Sequence, residues 1–102
     1  MTSKQRAYLK GLAMSMEPIM QIGKATVTPE VTKAVDEALE ARELIKIHVL
    51  KNCFADVREI AEMLAERTQA DVVQVIGKKI VLYRESSTKK KIELPKSKNQ
   101  GE

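Results

Sequence analysis

Hydrophobic residues recur along this chain in two periods, and the switches between them mark out seven elements. Tyr8, Leu9, Leu12, Ala13 and Met16 fall at i, i+1, i+4, i+5 and i+8, one face of a helix. Thr2 with Gln5 three residues on is a capping-box pattern, so a first helix is predicted from there to about Met16. Pro18–Ile22 alternates instead, the period of a half-buried strand, with proline at its tolerated first position. Thr28 and Pro29 suit the cap and first residue of a second helix. Val31, Ala34, Val35, Ala38 and Leu39 carry its apolar stripe to about Arg42. Leu44–Leu50 is again a strand, with Ile45, Ile47 and Val49 on one face and Lys46 and His48 on the other. That alternation predicts one face covered by helices and one partly wet.

Asp56 and Glu59 repeat the capping logic before a third helix to about Thr68, which buries Val57, Ile60, Ala61 and Leu64. Val72–Ile76 is β-branched, Gly77-Lys78 suits a type II′ turn, and Lys79–Arg84 is the returning strand. The order α-β-α-β-α-β-β predicts an α/β fold in which βαβ units and a closing hairpin make a mixed four-stranded sheet, packed by helices on one main face. The expected organisation is one domain over residues 1–86 and a Lys-rich, mostly flexible extension over residues 87–102. Ile92 and Leu94 are placed to add a brief contact from that extension.

Composition narrows the function classes. With 43% apolar and 31% charged residues the chain has the makeup of a soluble globular protein, and no apolar run approaches a bilayer span. A single Cys53 cannot form an internal disulfide, which fits a reducing cytoplasm, and nothing points to a membrane or secretory address. Net charge is +4, yet residues 1–28 carry +3, residues 29–85 carry −2 and residues 86–102 carry +3. Basic charge gathered at both ends favours a polyanion. One His, one Cys and no metal-ligand spacing leave catalysis, metal binding, a cofactor or a small-molecule substrate without support. Asp36, Glu37, Glu40 and Glu43 read as a solvated acidic helix surface and its end. The three aromatics, Tyr8, Phe54 and Tyr83, are too few for a sheet that stacks bases across its strands.

The better candidate is the loop Gly23-Lys24-Ala25-Thr26, between the first strand and the second helix. Glycine frees the backbone for φ > 0 and for close approach of another molecule. Amides near a helix start, beside Lys24, make a seat for a phosphate. Arg42, Lys46 and Arg84 are secondary candidates, and Lys4, Arg6 and Lys10 would widen the positive surface if the first helix packs beside the loop.

Three ordered blocks then carry a resemblance: Ile22-Gly23-Lys24, the run Glu37-Ala38-Leu39-Glu40-Ala41-Arg42-Glu43-Leu44-Ile45-Lys46, and the run from Val75-Ile76-Gly77-Lys78 to Leu82-Tyr83-Arg84. Together they resemble the CRM domain, and more closely its stand-alone bacterial YhbY-type RNA-binding members, from about residue 3 to residue 95. The resemblance implies a fold akin to the C-terminal domain of a bacterial translation initiation factor. It also implies binding to ribosomal RNA precursors during large-subunit assembly, by a non-enzymatic protein. Members carry a GxxG loop similar to that of KH domains. Its first glycine maps onto Gly23, while Thr26 stands at the second, losing the ease of φ > 0 but bringing a hydroxyl able to donate to the sugar-phosphate chain. The expectation is a cytoplasmic monomer that binds RNA through Gly23, Lys24, Ala25 and Thr26. The alternative is an adaptor that meets an assembly factor or ribosomal protein through the acidic surface around Glu37 and Glu40.

Overall fold

The structure, a computed structural model, describes residues 1–95. Its elements are α1 (Ser3–Ala13), β1 (Met20–Ile22), α2 (Pro29–Arg42), β2 (Leu44–Val49), α3 (Val57–Thr68), β3 (Asp71–Ile76) and β4 (Lys79–Tyr83). All seven stand in the predicted order. The capping box of α1 is complete: Gln5 N–H donates to Thr2 Oγ1 at 3.1 Å, and Thr2 N–H donates to Gln5 Oε1 at 3.0 Å. Thr28 caps α2 by accepting from Val31 N–H at 3.1 Å. Asp56 stands at the N-cap of α3, but its side chain makes no capping bond, so that box is not formed. In the β3–β4 turn Gly77 takes φ +59° and Lys78 stays at negative φ, which selects type II′ over type I′.

The strands run in the order β1-β2-β4-β3, with β1 parallel to β2 and the other pairings antiparallel. β1 and β3 are therefore the edges. A bulge between Val72 and Gln74 interrupts β3 against β4.

Helices cover both faces, where the sequence pattern predicts one main covered face. On the first, Val35 and Leu39 of α2 and Ile60, Ala61 and Leu64 of α3 pack against Ile22, Ile45, Ile47, Val49, Ile80 and Leu82. On the second, Leu9 and Ala13 of α1 bury Leu44, Val73, Val81 and Tyr83. α1 packs chiefly over β2, β4 and β3, so it covers only part of this face. Its buried stripe is accordingly narrower than predicted: Tyr8 and Leu12 stay 43% and 38% exposed.

The segment after β4 closes the second layer. Ile92 and Leu94 pack against the α1 cluster, and Gln5 Nε2 donates to the Pro95 carbonyl at 3.0 Å. Lys96 and Lys98 of the expected extension lie outside the described residues.

Candidate nucleic-acid interface

The Gly23–Thr26 loop leaves the sheet at the C-terminal end of β1, and because β2 runs parallel beside it, the Leu50–Ala55 loop leaves at the same end. Leu50 N–H donates to the Ile22 carbonyl at 2.8 Å and ties the two loops together. Thr26 N–H donates back to the Gly23 carbonyl at 3.0 Å, closing a turn. The amides of the two central residues, Lys24 and Ala25, have no partner among the described residues, and both residues are exposed. A turn of this kind aims such amides outward, and with the Lys24 ammonium they form a small anion seat.

Four features of this corner differ from the sequence reading. Gly23 does not use positive φ; Thr26 does, at φ +57°. A β-branched residue rarely adopts that conformation, so the turn keeps its path at a cost in strain rather than relaxing to another one. A Cβ on Gly23 would lie 3.4 Å from Asn52 Oδ1, an ordinary contact, so this position faces the neighbouring loop and not an approaching molecule. The start of α2 is largely spent, because Thr28 takes the Val31 amide and Pro29 has none, so the seat lies chiefly in the turn. The Thr26 hydroxyl donates to the Ala25 carbonyl at 2.6 Å. Its oxygen thus faces a partner as an acceptor, suited to a ribose 2′-OH and not to a phosphate.

The other candidate cations sort into three groups. Arg6 and Lys10 of α1 do not lie beside the loop, since α1 packs toward β3. They line a groove of about 460 Å³ along the β3 edge with Arg58, Glu62 and Gln74. Lys10 also meets Lys46 in a neighbouring groove of about 360 Å³ with Met14, Gln74 and Ile76. Lys4 is exposed on α1. Arg58 escapes sequence reasoning because it stands on a helix far along the chain; only the packing of α1 and α3 around one edge strand brings it to Arg6. Charges along an open edge also deter strand-to-strand association.

Between the β1 loop and the β3 grooves, the register sets Gln21, His48, Lys79 and Ile76 side by side, one from each strand, on the face that Lys46 shares. This row lies at the loop end of the sheet. It offers a polar path from the β1 edge to Lys79 on β4, ending on the exposed Ile76 of β3.

Arg42 lies at the opposite end of β2, exposed, in a groove with Glu17 and Lys91. Arg84 is built into the fold. Its Nη1 donates to Asp36 Oδ1 at 2.6 Å and to the Thr68 carbonyl at 2.8 Å, and its Nη2 to the Asp36 carbonyl at 3.1 Å. These bonds join α2, the end of α3 and β4, and leave Arg84 a structural role.

The acidic surface of α2 is also put to internal use. Glu40 Oε2 accepts from the hydroxyls of Thr88, Ser87 and Ser86 and from the Ser87 and Thr88 amides, at 2.7–3.1 Å. The Thr88 hydroxyl, then that of Ser87, does most to hold its carboxyl down to about 2. Glu43, read from the sequence as solvated, is fully buried at φ +69°. Burial would push its carboxyl up, but the amides of Ser86, Lys91 and Ile92, each at 2.7 Å, and the Lys90 charge outweigh it and leave it below the ordinary range.

Comparison with known proteins places this geometry in context. The chain is similar to "Probable RNA-binding protein YqeI" of Bacillus subtilis, 47% identical over 95 residues, which cover 93% of this chain and 99% of that protein. It is 35% identical over 96 residues to an RNA-binding protein of Haemophilus influenzae, covering 94% of this chain and 96% of that one. The solution structure of SAV1595 from Staphylococcus aureus matches with a TM-score of 0.79 and 53% identity, over 93% of this chain and 99% of that chain. The family model of the CRS1 / YhbY (CRM) domain matches residues 1–84, and the chain belongs to that family.

Proposed function

We propose that this protein binds RNA through the exposed turn between β1 and α2, and that its targets are ribosomal RNA precursors during large-subunit assembly. The observation that carries the reading is the pair of outward amides at Lys24 and Ala25 beside an ammonium with no carboxylate partner among the described residues. Relatives whose names describe RNA binding support the RNA part of the reading. Lys24 and the amides hold a phosphate, Gly23 seats the turn against the Asn52 loop, and the Thr26 oxygen receives a ribose hydroxyl. Lys46, Lys10, Arg6 and Lys4 extend the field across the sheet, and Arg42 stays outside it. The protein acts as a cytoplasmic monomer without chemistry of its own. The adaptor alternative loses half its acidic surface, because Glu40 is spent on Ser86–Thr88.

A filter-binding titration with single-stranded ribosomal RNA at several salt concentrations tests this. With about four phosphates neutralised, log affinity should fall against log salt with a slope near −3. Lys24→Ala should weaken binding several-fold and make the slope shallower by roughly 0.7. An affinity indifferent to salt, or to Lys24, would remove the electrostatic seat. Crosslinking in cells should recover precursors of the large subunit.

A further inference from the structure

We propose that Phe54 is a stacking platform for an unpaired base of the RNA whose backbone the neighbouring Gly23–Thr26 turn holds. This rests on the RNA-binding reading above and adds to it a contact with a base. Phe54 is 89% exposed, the most open of the large hydrophobic side chains among the described residues. The exposure does not come from an untethered loop. Cys53 before it is 3% exposed and donates its N–H to the Leu50 carbonyl at 3.0 Å, and Ala55 after it packs against the core. The flanks are pinned inward and the ring is held out in water, where a partner can reach it.

Its position fits a nucleotide chain. The Leu50–Ala55 loop lies against the Gly23 turn, where Asn52 Oδ1 stands 3.4 Å from the site of a Cβ on Gly23. The exposed lysines Lys24 and Lys51 stand on the two adjacent loops. A cation and free amides for the phosphate, with an aromatic face close by for the base, is the combination by which single-stranded nucleic acid is held. No other aromatic is free for it at this end of the sheet: Tyr83 is buried in the α1 cluster and Tyr8 lies on α1. Every base has a π face, so the contact selects unpaired over paired RNA and not one sequence over another.

The test compares Phe54→Ala, Phe54→Leu and Phe54→Trp with Lys24→Ala, on a single-stranded oligoribonucleotide and on a duplex, at several salt concentrations. Phe54→Ala and Phe54→Leu should each lose about tenfold in affinity for the single strand, within the range of one stacked base, with the salt slope unchanged. Phe54→Trp should retain affinity. The chain contains no Trp, so this variant adds a single indole whose emission should be quenched as the oligonucleotide binds. Leucine binding as well as phenylalanine, or an indole left unquenched, would overturn stacking. So would self-association of the wild type that Phe54→Ala abolishes while leaving RNA affinity intact. If the wild type binds and Lys24→Ala weakens it while Phe54→Ala does not, only the stacking proposal falls. If the wild type does not bind RNA, the functional reading falls with it.

Discussion

Thr26 holds the one left-handed position in the loop, and it does so as a β-branched residue at φ +57°. An L-residue pays about 1–2 kcal/mol there, while glycine pays nothing locally but loses about 0.5–1 kcal/mol more chain entropy on folding. Thr26→Gly should therefore stabilise the domain by about 0.5–1 kcal/mol, seen as a higher urea midpoint at unchanged slope. A lower midpoint would show that the turn is not strained. The substitution of threonine for the second glycine of the GxxG pattern was visible in the sequence. Its consequence was not, because whether a turn keeps its path under strain depends on what ties its ends. Here the Gly23 carbonyl and the Leu50 amide do so. Arg84 and Glu43 teach the same lesson. Their charge was legible, but apart from the Thr68 carbonyl their side-chain partners lie more than forty residues away along the chain.

Among the elements, the segment after β4 depends on two carboxylates at the end of α2. Both Glu40 and Glu43 titrate below their ordinary value of 4.5 in the folded chain. Groups shifted down contribute stability above the unfolded value, and that contribution is lost as pH falls through the folded one. For Glu40 the window runs from 4.5 down to about 2. Acidification across it should release Ser86–Thr88, read as lost hydrogen-exchange protection at the Ser87 and Thr88 amides before the sheet opens. Protection that persists until global unfolding would count against the clasp. Glu43→Ala leaves buried donors without an acceptor and should cost at least about 2 kcal/mol by denaturant titration. Tail composition gave little sign of this, since Ser, Thr and Lys usually signal solvated chain. The signal present was Ile92 and Leu94, whose apolar side chains do find the α1 cluster.

Across the whole molecule, β1 and β3 are three strand spacings apart, about 14 Å. Lys24 stands on the loop after β1, and Arg6 and Lys10 line the groove along the β3 edge. Sites separated this far, with no shared partner, act independently. The losses in log affinity from Lys24→Ala and from Arg6→Ala/Lys10→Ala should therefore add in the triple variant on a long single strand. A triple variant no weaker than either parent would place the RNA on one edge only.

What the chain determined by itself is local. Helical and strand periods, the Thr2 and Thr28 caps, the Gly77 turn and the position of the Gly23–Thr26 loop all rest on contacts a few residues apart, so residue spacing alone expresses them. Tertiary structure decided the rest: the order β1-β2-β4-β3, the second helical face, the loops of β1 and β2 side by side, and the fate of each charge. Whether a cation is left for a polynucleotide or spent on a carboxylate depends on which distant segments the sheet brings within hydrogen-bonding reach. Periodicity carries no record of that distance.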